Sequence, residues 1–224
     1  PRSSLKPVLN LRGGDMVTNV AAGLIGASGA MSYISPKENI ENYGISNPDE
    51  TGVAAMRATS GFQMVFAALL LVDADKAHVA SLFMSAAAIF ISIPPNEMFE
   101  GPKAPLVAWI GFLTGLGMYS LRNEVSPWVA TAIYLVNGVQ IYFATKGAID
   151  MYKLKKVPSA LGVHMFKTQG QTMLCTAIYL GCLAQGLTQS KAFAAAWVAN
   201  GVGAVKFAYT DAEVIGCPKS GPLI

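Results

Sequence analysis

The sequence predicts an all-α fold, a polytopic transmembrane helical bundle of about six or seven spans carrying an internal duplication. Three observations point there. The chain is 53% hydrophobic and only 13% charged, whereas soluble domains carry roughly 25% charged residues. Its apolar stretches have the length of membrane spans and are separated by proline and polar clusters. Gly52 to Met64 also recurs as Gly162 to Met173, with one gap opposite Ala58. The alignment brings a Gly, a Val, a basic residue, a Thr, a second Gly and a Met into register, so it predicts Gly61 over Gly170 and Arg57 over Lys167. The division that follows is a basic N-terminal arm at 1–15, a first helical repeat unit at 16–122, a second at 126–210 and a polar C-terminal tail at 211–224.

Seven segments are expected: 16–34, 57–73, 77–94, 105–121, 127–149, 168–188 and 191–209. The first is an uncharged run rich in Ala and Gly. The second begins at Arg57 and closes in Asp73-Ala74-Asp75-Lys76, a tight polar turn into the third, so these two should form an antiparallel hairpin. Pro94-Pro95 is expected to end the third, because proline lacks the N–H that a helix interior needs. Lys103-Ala104-Pro105 opens the fourth with proline in the first turn, and Ser126-Pro127 opens the fifth with a serine cap. The sixth starts the second copy of the repeat, and the seventh is thinned by Ala199, Gly201 and Gly203. Several segments fall short of the roughly 20 residues a hydrocarbon core of about 30 Å requires, and must recruit flanking residues.

Two connections are longer. Residues 35–56 hold Pro36, Pro48, Glu38, Glu41, Asp49 and Glu50, too polar for lipid and expected at a surface with a short helical turn. Residues 150–167 are basic, with Lys153, Lys155, Lys156 and Lys167. If all seven segments span, the two repeats are parallel; if the fourth is re-entrant, they are inverted, as in many secondary transporters. Positive charges fall on both sides of the seven-span scheme, so the positive-inside rule does not choose an orientation.

Composition and motifs exclude several functions. The net charge of +3 is small and the Lys and Arg residues are scattered, with no basic, aromatic-interleaved face for nucleic acid. Cys175, Cys182 and Cys217 have neither the number nor the spacing of a disulfide framework or a zinc site. GxSxG, GxxxxGK[ST] and a GxGxxG after a strand are all missing. No Asp or Glu stands at the centre of a span, where proton-coupled pumps place them. Catalytic and metal-binding residues are therefore expected to be none.

The residues singled out serve packing, interfaces and pigment. Gly26, Gly111 and Gly115 are expected at close helix contacts, since backbones in lipid approach at small side chains; an outward stripe for a neighbouring subunit is the alternative. Gln63, Asn137, Gln140, Gln169, Gln171 and Asn200 are expected to hydrogen-bond between helices, or to line a substrate path. Arg57 and Lys167 sit near helix starts, against the macrodipole, so each should find an interfacial phosphate or a carboxylate, Asp49 and Glu50 being nearest to Arg57. Lys146 and Lys206 lie in last turns, where the side chain can snorkel. His78 and His164 lack partners for catalysis and are candidates for interfacial hydrogen bonding or for axial ligation of a chlorophyll or haem. The cofactors in view are chlorophyll or carotenoid, and lipid. The glutamate-xx-histidine or glutamate-xx-asparagine pairing of antenna helices is absent.

Pro1 to Gly14 carries Arg2, Lys6 and Arg12 and no acid, as does the end of a transit peptide or a basic arm. Within it Asn10-Leu11-Arg12-Gly13-Gly14-Asp15 resembles the Leu-Arg-Gly-Gly stretch that follows the targeting sequence in plastid proteins of diatoms and related algae. Tyr43-Gly44-Ile45, followed by Arg57, Gly61 and a leucine-rich span, resembles small multi-pass membrane scaffold families, among them the scaffold of the sterol pathway. These resemblances imply a noncatalytic accessory or scaffold subunit of a larger membrane complex, in a plastid thylakoid photosystem supercomplex in the most specific version. Its partners would be membrane lipid and other subunits. The other reading is a small transporter or channel built from a duplicated helical unit.

Overall fold

A computed structural model describes residues 16–217; the basic arm at 1–15 and the end of the tail, 218–224, lie outside them. The described chain is all-helical: α1 (Met16–Ile34), α2 (Pro36–Asn42), α3 (Glu50–Leu69), α4 (Ala77–Glu97), α5 (Ala104–Ser120), α6 (Trp128–Phe143), α7 (Thr145–Met151), α8 (Ala160–Ala184), α9 (Gln189–Thr210) and a 3-10 turn, Glu213–Ile215. By length and composition α1 and α4 could each cross a membrane; α5 and α6 are shorter apolar helices.

Helices α3 and α8 form the centre. Each is packed by the long helix before it (α1, α6), by the long helix after it (α4, α9), and by the other. The order long, short, long, long occurs twice, as α1–α4 and as α6–α9, with α5 between them on α4. The central pair runs parallel. At one end Ser159 bonds to Asp49, and at the other the Tyr179 hydroxyl approaches the Leu69 carbonyl at 3.5 Å.

Both central helices start earlier than expected, by about two turns, because polar residues cap them. Asp49 Oδ1 accepts from the Thr51 and Gly52 N–H groups at 2.9 and 3.0 Å, and Ser159 Oγ accepts from Gly162 N–H at 3.0 Å. Each cap satisfies orphan donors of a first turn, so the apolar runs alone understate the helices. This places Arg57 and Lys167 in the interior of their helices rather than at the start.

Residues Pro94 and Pro95 do not end α4, which continues to Glu97. Proline at 95 leaves the carbonyl of Ile91 without its helical donor, and the Tyr33 hydroxyl from α1 donates to that carbonyl at 3.1 Å. The expected fifth segment is broken at Ala144 (φ −119°, ψ 41°) into α6 and α7. There Thr145 Oγ1 donates to the Ile141 carbonyl at 2.6 Å, in competition with the backbone ladder. The tail also departs from its polar description: Ala212, Ile215 and Cys217 are buried in a cluster with Ile40, Phe99 and Leu161.

Beyond its gap the repeat alignment puts residues on different faces of the two helices. Because α3 and α8 are unbroken, skipping one residue turns everything beyond it by about 100°. Gly61 accordingly packs on Ala88 of α4, whereas Gly170 packs on Tyr142 of α6. Gly52 and Gly162, ahead of the gap, both lie at the α3–α8 crossing, against Leu161 and Thr51 respectively.

Candidate functional site

An apolar cleft lies between the α4–α5 hairpin and the α6–α7–α8 side, with an empty volume of about 1240 Å³ counted to its open side. Consecutive helices usually pack, yet α5 lies on α4 and α6 on α8 with no substantial interface between α5 and α6. Their separation leaves the opening. Trp109, Leu106 and Leu113 of α5 form one wall, Ile133, Asn137 and Ile141 of α6 the other. The back is Ala58 and Phe62 of α3 with Gln169 and Met173 of α8.

Contacts bound the cleft at both ends, one of which is also lined by the exposed side chains of Glu97 and Lys103. In the middle of the bundle Tyr134 and Ser85 are joined by a short hydrogen bond, and the Tyr134 hydroxyl also reaches the Ser81 carbonyl at 3.2 Å. At the other end segments 98–103 and 152–156 cross, with the Lys155 and Lys156 N–H groups both donating to the Phe99 carbonyl. A hydrogen bond from Trp109 joins Tyr152 across the gap; burial pushes the Tyr152 phenol up, and this bond opposes it. The charged groups at the roof, Glu97 and Lys103, neutralise each other at 2.5 Å.

Polar groups facing the cleft are otherwise neutral. Asn137 Nδ2 donates to the Ile133 carbonyl of its own helix at 2.8 Å, which leaves its Oδ1 directed elsewhere. Gln169, half-buried, makes none of the hydrogen bonds found among the described residues. Of the six amides expected to bridge helices, Gln171 and Asn200 do so: Gln171 Nε2 donates to the Asn200 carbonyl and Oδ1, both at 2.9 Å. Gln140 reaches only the Met151 sulfur at 3.6 Å, and Gln63 Oε1 is buried without a partner.

The other sequence-derived residues are dispersed. Gly26 faces α3, where a Cβ added to it would stand 3.5 Å from Ala67 Cβ. Gly111 and Gly115 do not lie at a contact within the chain: a Cβ at either meets nothing within 4 Å, because α5 turns this stripe outward. The close approaches are instead at Gly117, against Phe83, Gly138, against Leu174, and Gly170, whose added Cβ would stand 2.6 Å from Tyr142 N. Lone glycines outside a GxxxG spacing gave no signal for this.

Arg57 does not pair with Asp49 or Glu50. Its Nε donates to the Tyr33 carbonyl at 2.9 Å, while Asp49 is held by Ser159 and Glu50 by Lys156 at 3.4 Å. Burial raises the Asp49 carboxyl, but hydrogen bonds from Thr51, Ser159 and the Gly52 and Thr51 amides outweigh it and hold the group below its ordinary range. Lys167 finds its carboxylate in Asp211, the C-cap of α9, at 2.9 Å. Burial pushes that carboxyl up, and the bond and charge of Lys167 with the nearby His164 bring it below the ordinary value. Lys206 is exposed and places its ammonium 4.7 Å from the centroid of the Tyr142 ring.

His164 stacks on Phe207 at 4.1 Å, with Nδ1 3.8 Å from Asp211 and Nε2 3.5 Å from Thr168 Oγ1. Nδ1 is buried without a hydrogen-bond partner. His78 is half-buried in the first turn of α4. The two histidines lie at opposite ends of the bundle, and neither lines the cleft. Compared with known proteins, the chain matches no family model, no curated protein and no solved structure.

Proposed function

We propose that this chain is an integral membrane protein, a bundle of seven spanning helices, and that it serves as a noncatalytic accessory or scaffold subunit of a larger membrane complex. One observation carries the reading: the outer faces of the peripheral helices are apolar. Leu24 and Met31 on α1, Val107 and Phe112 on α5, Val136 and Phe143 on α6, and Val198 and Val202 on α9 are all exposed. Soluble monomers rarely expose contiguous apolar patches beyond a few hundred Å². Charge agrees with this, since 58–72, 77–96, 104–121, 125–145, 168–190 and 192–205 contain no charged residue. Helices α5 and α6 are short for a span, and local thinning of the bilayer around them accommodates the difference.

The outward stripe of Gly111 and Gly115 supports docking onto a neighbouring subunit, where backbones approach at small residues. A duplication behind the two four-helix halves is supported by their common order and by the match from Gly52 to Arg57. The thylakoid placement rests on the stretch at Asn10 to Asp15, and His78 is the better placed of the two candidate pigment ligands. The test is mild detergent extraction from the native membrane, followed by a native gel with an absorption spectrum of each band. Co-migration with a large, pigmented complex is expected, and replacing Gly111 and Gly115 with Leu should abolish it while the chain stays folded. The transporter reading is favoured by the cleft and its amides; an isolated monomer or homo-oligomer on the same gel would favour it instead.

A further inference from the structure

We infer that the cleft between α5 and α6 binds a neutral amphiphile, a molecule with an elongated apolar body and one hydroxyl or carbonyl group, which enters sideways from the hydrocarbon region. The inference rests on the membrane reading above. It goes beyond it by assigning a ligand class to a site that a purely structural subunit would not need.

Four features of the cleft fix the chemistry. Its axis follows α4 from Ser85 to Glu97, which at about 1.5 Å per residue is roughly 18 Å. That is a little over half of a hydrocarbon core of about 30 Å. The site therefore fits a molecule occupying one leaflet, not a solute crossing both. Its inner end is bounded by the Ser85–Tyr134 bond, and the end at the crossing of 98–103 with 152–156 carries the exposed Glu97–Lys103 pair, so the apolar entrance is the side between α5 and α6. In the proposed orientation that side faces lipid.

The walls are apolar and aromatic, from Phe62, Trp109, Ile133 and Met173, so an alkyl body passes from lipid into the cleft with no polar surface to desolvate and is held there by packing. Selectivity for a neutral head follows from charge. Glu97 and Lys103 satisfy each other at the roof, and no other acid or base lines the cleft. A phosphate or ammonium head would have to be desolvated there without a free counter-ion. Among the neutral polar groups left are the Gln169 amide at the back, Asn137 Oδ1 on the adjoining α6 wall and the Asn96 amide towards the roof. Together they supply N–H donors and carbonyl acceptors, which a hydroxyl or a carbonyl can satisfy.

The experiment uses the full chain reconstituted in phosphatidylcholine vesicles. Resistance to alkaline carbonate extraction is scored first, and failure there would strike the membrane reading rather than the cleft. The vesicles are then loaded with a C16 alcohol carrying a diazirine and an alkyne, irradiated, and the labelled peptides mapped. A C16 alkyl phosphate and a C16 alkane bearing the same diazirine are run in parallel. Label from the alcohol is expected on 104–113 and 133–141, with several-fold less from the phosphate. Filling the cleft with Ile133→Trp, or separately Ile89→Trp, should remove that label, and Gln169→Leu should weaken labelling by the alcohol but not by the alkane. Label spread evenly over the outer faces of α1 and α9 and insensitive to Ile133→Trp and Ile89→Trp overturns the inference. Equal labelling by alcohol and phosphate would overturn the assignment of a neutral head.

Discussion

Ser159 donates its hydroxyl to Asp49 at 2.7 Å, so the residue that caps α8 is bonded to the residue that caps α3. Thr51 joins the pair, its Oγ1 accepting from Ser159 N–H at 3.0 Å. One carboxylate thereby sets the relative height of the two central helices. Asp49→Ala removes the cap and the link together, with an expected cost of about 0.5–2 kcal/mol. Asp49→Asn keeps a capping oxygen and should cost less. Thermal unfolding in detergent, followed by circular dichroism, reads both.

The same carboxylates give an acid sensitivity with a defined sign. Asp49 and Asp211 titrate below their ordinary value of 3.8 in the folded chain. Each contributes stability that is present above that value and is lost as pH falls through the lowered folded one. Stability should therefore be insensitive to these groups at neutral pH and decline as the pH drops below about 4, near the usual carboxylate range. The decline should be shallower in Asp49→Asn. Melting midpoints taken between neutral and acid pH test it, and an equal decline in the variant would remove Asp49 from the account.

Tyr33 and Pro95 should be energetically coupled. The Tyr33 hydroxyl serves the Ile91 carbonyl that Pro95 leaves without a donor, so Tyr33→Phe is expected to cost about 1 kcal/mol. Pro95→Ala restores the missing N–H. In that background Tyr33→Phe should cost close to nothing, and a double-mutant cycle in which the two changes simply add would refute the coupling.

Glycines at open and at crowded positions should respond in opposite ways. Gly111→Ala and Gly115→Ala meet open space and should leave the isolated chain unchanged or slightly firmer, by about 0.5–1 kcal/mol from helix propensity. Gly170→Ala drives a methyl against the Tyr142 backbone and should cost about 1–3 kcal/mol. Unfolding temperatures of the purified variants decide it.

Lys167→Gln should loosen the chain after α9 without unfolding the bundle. The pair with Asp211 is partly exposed, so its loss is expected to cost no more than about 1 kcal/mol. Hydrogen exchange at 211–217 reads the local change, and faster exchange there with α3 and α8 unchanged is the expected pattern.

Much of the helix inventory was legible because it depends on local composition. The bounds of α1 match the expected segment, and α4, α5 and α9 start within about two residues of theirs. The starts of α3 and α8 were not legible from apolar runs, since their first two turns are polar or mixed and are held by the caps Asp49 and Ser159 and by each other. Nor was the continuation through Pro94 and Pro95, which depends on a hydroxyl from another helix. Among site residues, Gln169 and Asn137 were noted for their type; that they face one cleft follows from α5 and α6 standing apart.

The sequence by itself determined that the described residues, 16–217, fold as helices, where the charges lie, and that the chain has apolar stretches of span length, because hydrophobic runs, prolines and charges act over a few residues and need no partner. The tertiary structure decided which face of each helix is covered. A glycine or an amide reads the same in sequence whether it turns inward or outward, and only packing made Gly170 a contact, left Gly111 and Gly115 bare, and opened a cleft behind Trp109.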